Sequence, residues 1–206
     1  MKSIVNYQLE TDKIINSLSA EVTPKLLLHS CCAPCSSYVL EYLSKYFEIT
    51  VFYYNPNITP LEEYNQRANE QKRIIDSFTF VNKVQYFESD YDFHIFFKTV
   101  YGLECEEEGG KRCFKCYKLR LEKAAAYASI HDYPYFTTTL SISPHKKAKY
   151  INDIGLNLAQ KYGVKFLPAD FKKKDGYKRS IELSNIYNLY RQDYCGCVFS
   201  KLPRPN

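Results

Sequence analysis

The chain has 206 residues, 28 Lys and Arg against 23 Asp and Glu, and a net charge of +5. That length can bury one substantial core, and a 25% charged fraction with only seven Gly excludes a low-complexity or disordered chain. No apolar run approaches the ~18 residues of a membrane span. Glu10, Asp12 and Lys13 interrupt the start where an export signal needs an apolar core, so a cytoplasmic protein is expected.

Residues 1–24 read as an N-terminal extension, with Ile14, Ile15 and Leu18 spaced for a helix. A single α/β domain over 25–206 follows. Lys25–Ser30 is a short, nearly all-apolar run, as in a buried strand. Ser36–Phe47 places Tyr38, Val39, Tyr42, Leu43 and Tyr46 at helical spacing. Ile49–Tyr54 is a second strand, stopped by Asn55-Pro56-Asn57. Leu61–Phe78 is a polar helix, Val84–Phe87 a third strand and Asp92–Tyr101 a further helix. An acidic loop with Glu104, Glu106, Glu107 and Glu108 leads into a helix over Cys113–His131. Tyr135–Leu140 is rich in β-formers. Lys147–Tyr162 is amphipathic and closes at Gly163. Val164–Ala169 is a fifth strand and Gly176–Tyr190 a last helix. Alternating strands and helices predict a parallel sheet of about five strands flanked by helices. Ligands of such sheets bind at the carboxyl ends of the strands. That rule groups His29–Cys35, Asn55–Pro60, Ser141–His145 and Asp170–Lys174 on one edge.

Eight cysteines stand out. In a chain without an export signal they are expected to be reduced, which points to metal binding or redox chemistry. Cys31, Cys32 and Cys35 lie at the turn from strand one into the next helix. Cys113 and Cys116 open a helix, where the terminus and Lys111, Arg112 and Lys115 favour thiolates. Cys31, Cys32, Cys113 and Cys116 make four sulfur ligands, suited to zinc or to a 4Fe–4S cluster. Cys195-Gly196-Cys197 is a close pair, strained when bridged and so suited to redox cycling; two further metal thiolates are the alternative. Cys105 stands alone, and its default reading is a small buried apolar residue.

His29-Ser30-Cys31-Cys32-Ala33-Pro34-Cys35, Arg112-Cys113-x-x-Cys116-Tyr117, Thr138-Thr139-Leu140 with Ser143-Pro144-His145-Lys146, and Tyr190-x-x-x-Tyr194-Cys195-Gly196-Cys197 occur in that order. Together they resemble the QueH-type epoxyqueuosine reductases. The likeness runs from about residue 25 to about residue 200 and leaves the extension unexplained. It implies a Rossmann-like fold related to the nucleotide α-hydrolases. It also implies reduction of the epoxide of epoxyqueuosine in a tRNA anticodon loop, the last step of queuosine synthesis, with an external electron donor. By the same resemblance Cys31, Cys32, Cys113 and Cys116 hold a 4Fe–4S cluster and Cys195 and Cys197 form the redox pair. An additional mononuclear metal, iron or zinc, is implied beside the cluster, with Cys35 and Asp193 as its candidate ligands.

The chemistry is consistent with the residues. Converting an epoxide to an alkene needs two electrons and two protons, so a cofactor is expected. No G-x-G-x-x-G follows a strand, which argues against a dinucleotide. His29 and His145 are candidate proton donors, a supporting hydrogen-bond role being the alternative. Lys111 and Arg112, then Lys146, then Lys172, Lys173, Lys174 and Arg179, fall beside the ligand edge and form a candidate RNA footprint. Asn57, Arg67 and Tyr177 are candidates for the nucleotide pocket. Two other readings are an RNA sulfur transferase of the same fold and a non-enzymatic zinc-binding RNA module. The first would want a glycine-rich phosphate loop where His29–Cys35 stands; the second predicts zinc without activity.

Overall fold

The computed structural model describes residues 5–19 and 21–201. Residues 1–4, 20 and 202–206, at the ends of the expected extension and domain, lie outside the described residues.

The element order is α1 (Tyr7–Asn16), β1 (Lys25–His29), α2 (Ala33–Leu43), β2 (Glu48–Tyr53), α3 (Leu61–Ser77), β3 (Val84–Glu88), α4 (Phe93–Val100), α5 (Lys111–Ile130), β4 (Tyr135–Thr138), α6 (Ala148–Tyr162), β5 (Lys165–Phe166) and α7 (Gly176–Ile186). The five strands form one parallel sheet in the order β3-β2-β1-β4-β5. This is the five-stranded parallel sheet expected from the alternation, in the Rossmann-like arrangement that the resemblance implies. Because successive strand residues face opposite sides, Leu26 and Leu28 enter one core layer with α2 and α3. Leu27 enters the other, with α5 and α6.

Four expected boundaries shift, each for a local reason. The helix after β1 begins at Ala33 rather than Ser36, because Pro34 is tolerated in a first helical turn. Strand five is two residues long: past Phe166, the Asn152 side chain takes both the amide and the carbonyl of Ala169, replacing a ladder partner. Strand four stops at Thr138, whose hydroxyl caps the amide of Leu140 at 3.2 Å and starts a 3₁₀ turn over Thr139–Ile142. The last helix ends at Ile186, and Asn188, at φ 46°, turns the chain away.

α1 packs on this domain. Ile15 joins the first core layer, Thr11 donates to the Pro168 carbonyl, and both Asp12 carboxylate oxygens hold Lys174 Nζ, at 2.7 and 2.8 Å.

Candidate active site

Strand order reverses between β1 and β4, and a crevice opens there beyond the carboxyl ends of the strands. Both flanking strands contribute to it. Cys31 follows β1 and Thr139 follows β4, and Cys31 Sγ lies 3.8 Å from Thr139 Oγ1. Cys32 caps α2 and Cys35 sits in its first turn, so the sulfurs of Cys31, Cys32 and Cys35 all lie within 4.8 Å of one another. Cys32 and Cys35 donate to Cys31 and, with Arg120 and Lys146 nearby, hold its thiol well below the usual range despite burial. The same sharing pushes Cys32 up to about 12 and raises Cys35.

Cys113 and Cys116 open α5 as expected. Cys113 packs against the apolar cluster that contains Cys31 and Cys32, whereas Cys116 clusters with Cys197, Phe96 and Val100. The expectation of lowered thiol pKa values fails here. Burial outweighs the helix terminus and the nearby cations, raising Cys113 and pushing Cys116 up to about 12.

Two cavities share Cys195 and Glu108 in their walls. The larger, about 480 Å³, is lined by Cys31, Cys35, Arg67, Arg120, His145 and Cys195, among others. The smaller is lined by Cys113, Cys116, Cys195 and Cys197. Cys195 therefore lines both and Cys197 only the recess, where burial pushes its thiol up to about 11.

Arg120, one turn beyond Cys116, is 1% exposed. It donates to Asn55 Oδ1, while its Nε has no partner. Burial works against its charge, but the sulfurs of Cys116, Cys31 and Cys195 outweigh that cost. A buried cation without a carboxylate partner needs an anion nearby. Thiolates deprotonated by a bound metal supply it, so this donor set fits a thiolate-bound metal group. Lys146, half-buried in the larger cavity wall, is held charged against burial by Cys195 and Cys31.

Other expected site residues fall as follows. His29 is fully buried; Nδ1 lies 2.8 Å from Thr138 Oγ1 and Nε2 3.2 Å from the Tyr54 carbonyl. Burial depresses it to about 3, so the proton-donor reading of His29 is corrected to a supporting one that ties β1 to β2 and β4. His145, Asp193 and Tyr177 line the larger cavity, while Asn57 is buried with its Oδ1 unpartnered. Cys105 is exposed, which corrects its reading as a buried apolar residue.

The basic footprint is also redistributed. Arg112 is buried and donates through Nη1 to the carbonyls of Leu103, Glu104 and Glu106, so it shapes the acidic loop instead of facing a phosphate. Lys172 pairs with Asp170 and donates to the Ser141 carbonyl, Lys174 pairs with Asp12, and Arg179 pairs with Glu41 and Glu182. Lys111 and Lys173 are exposed. Arg120 is absent from the candidates drawn from the sequence. Its position one turn after Cys116, on the buried face of α5, was the available signal.

The family model described as epoxyqueuosine reductase QueH matches residues 26–202. The chain is 46% identical over 205 residues to the epoxyqueuosine reductase QueH of Staphylococcus epidermidis, covering 96% of this chain and 85% of that protein. It is 44% identical to that of Haemophilus influenzae over 178 residues, covering 85% of this chain and 71% of that protein. It is 37% identical to that of Thermotoga maritima over 183 residues, covering 87% of this chain and 91% of that protein.

Proposed function

The chain belongs to the epoxyqueuosine reductase QueH family of oxidoreductases, and from that premise we propose that it reduces epoxyqueuosine in a tRNA anticodon loop to queuosine with an iron–sulfur cofactor. The observation that supports the reading is the trio of sulfurs of Cys31, Cys32 and Cys35, within 4.8 Å of one another at the switch point of the sheet, beside a buried Arg120 whose charge is favoured by Cys116, Cys31 and Cys195.

Cys31, Cys32, Cys113 and Cys116 hold the 4Fe–4S cluster in this reading. Cys35 and Asp193, both on the larger cavity, serve the additional mononuclear iron or zinc. When bound, such a group supplies low-potential single electrons and Lewis acidity toward an oxygen atom.

The protein's own part follows from balance. The epoxide carbons take up two electrons, two protons complete the departing oxygen as water, and an alkene remains. Oxidation of Cys195 and Cys197 to a disulfide releases two electrons and two protons, which matches that demand. An external donor then returns the pair to the dithiol. His145 at the cavity wall is placed to hand on a proton. Lys146 and Lys173 are the leading phosphate contacts, joined by Lys111, which lies 3.9 Å from Glu106. Lys172, Lys174 and Arg179 contribute only by exchanging a carboxylate partner for RNA.

Anaerobic reconstitution should yield a brown protein with about four irons per chain. The protein should convert epoxyqueuosine in tRNA to queuosine, scored by nucleoside mass spectrometry. A colourless protein with stoichiometric zinc and no turnover would overturn the reading.

A further inference from the structure

One polar side of α3 is engaged by a later segment of the chain. Glu63, Arg67, Glu70 and Arg73 recur at helical spacing on one side of this helix. Each bonds the segment that follows α7. Arg73 donates to the Tyr187 and Asn188 carbonyls, and Glu70 accepts from the Tyr190 amide at 2.7 Å. Glu63 accepts from the Tyr190 hydroxyl, and Arg67 donates to the Tyr194 and Cys195 carbonyls at 3.2 and 3.3 Å. The segment thus runs antiparallel along α3 and ends at the redox pair.

Around that pair the backbone is held at three consecutive carbonyls. Arg67 takes those of Tyr194 and Cys195, and the Thr59 amide takes that of Gly196 at 3.0 Å. The Arg67 side chain is 2% exposed, held at Nε by Glu63 at 2.6 Å and placed 5.0 Å from the centre of the Tyr194 ring. Gly196 sits at φ +97°, and a Cβ there would come within 2.8 Å of Ile58 and 3.0 Å of Arg67 Nη1. The guanidinium fork and the glycine are therefore matched. A lysine keeps the charge but offers no planar pair of donors.

We propose that Arg67 is a positioning residue for the reduction: it holds the Cys195-Gly196-Cys197 backbone so that Cys195 faces the larger cavity while Cys197 stays in the recess. The inference rests on the reductase reading for its catalytic consequence, but not for its structural content. Fixing the peptide planes on both sides of Cys195 fixes the direction of its Cα–Cβ bond, and such orientation is worth orders of magnitude in rate. The clamp as found holds two free thiols. Releasing it lets the strap adapt to the strained ring, so the disulfide forms more readily.

The test compares Arg67→Lys with the parent, both as the full chain. In metal-free protein equilibrated with glutathione, two strap thiols and one glutathione disulfide exchange for a strap disulfide and two glutathiones. The variant should shift that equilibrium about tenfold toward the strap disulfide. Amide exchange at Cys195–Val198 should quicken about tenfold. In reconstituted protein, kcat should fall about tenfold or more while KM for the tRNA holds. If Arg67→Lys does not fold, Glu63→Gln, which frees Arg67 Nε, should move the same readouts in the same direction by less. Unchanged strap exchange and an unchanged thiol–disulfide equilibrium in a folded variant would overturn the proposal. A parent inactive on epoxyqueuosine tRNA would instead overturn the reductase reading, and the two metal-free measurements would still decide the role of Arg67.

Discussion

Arg120 Nη2 lies 2.6 Å from Asn55 Oδ1, and Asn55 passes the contact on through Nδ2 to the Ser30 carbonyl at 2.9 Å. One buried guanidinium thereby ties the helix that begins with Cys113 and Cys116 to the turn that carries Cys31 and Cys32. Replacing Arg120 by Leu leaves Asn55 Oδ1 without its donor and removes the cation that faces the sulfurs. Urea unfolding of the metal-free protein should show a loss of roughly 1–3 kcal/mol. Iron retained through gel filtration after reconstitution should fall well below the parent level. Full retention would contradict a role for Arg120 in balancing the thiolates.

The two strap thiols are inequivalent. Cys195 lines the open cavity, and Cys197 is 8% exposed with its thiol raised by burial. In a Cys105→Ser background, iodoacetamide at pH 8 should label Cys195 about tenfold faster than Cys197 in metal-free protein. Peptide mass spectrometry reads the order, and equal rates would remove the inequivalence.

Asp12 links α1 to the loop before α7. Burial raises its carboxyl, but hydrogen bonds from Lys174, Gln8 and Tyr42 outweigh this and hold it below the ordinary carboxylate range. A depressed folded pKa contributes stability above the unfolded value, about 3.9, and loses it as pH falls through the folded one. With Lys174 half exposed, the contribution should be about 0.5 kcal/mol. The stability gap between the parent and Asp12→Asn, measured in urea, should hold constant from pH 7 to 5 and close only below about pH 3.9. A gap that grows on acidification would refute the assignment.

Gly176 opens α7 where no side chain fits. A Cβ there would meet the Phe171 carbonyl oxygen at 2.1 Å and the Tyr38 ring at 2.4 Å. Gly176→Ala should cost roughly 1–3 kcal/mol, because backbone on one side and a packed ring on the other must yield. Tyr177 and Ser180, on the same helix, line the larger cavity. A raised KM for tRNA should accompany the lower urea midpoint, and an unchanged midpoint would show that α7 tolerates the shift.

Much of this molecule was legible from its residues. The Leu26–Leu28 run, flanked by a turn and a helical pattern, reads as a buried parallel strand because both sheet faces are covered. Cys113 and Cys116 read as the start of a helix, which they are. Strand five was overlong in that reading because the apolar run continues through Leu167 to Ala169 and carries no sign that the Asn152 side chain will take the Ala169 backbone groups. His29 looked like a proton donor because nothing local shows both ring nitrogens already engaged. Arg112 looked like a surface cation because the carbonyls it serves belong to a loop whose path is set by packing.

What the sequence by itself determined is the alternation of elements and the identity of the sulfur groups, since hydrophobic period and cysteine spacing act over a few residues. Tertiary structure alone decided what each group faces. The polar side of α3 could have met solvent. Instead Glu63, Arg67, Glu70 and Arg73 meet a segment more than a hundred residues later, because the chain turns at Asn188 and its backbone polar groups need partners once buried. The turn that carries Cys31, Cys32 and Cys35 likewise meets Thr139 only through strand order, which sets β1 beside β4.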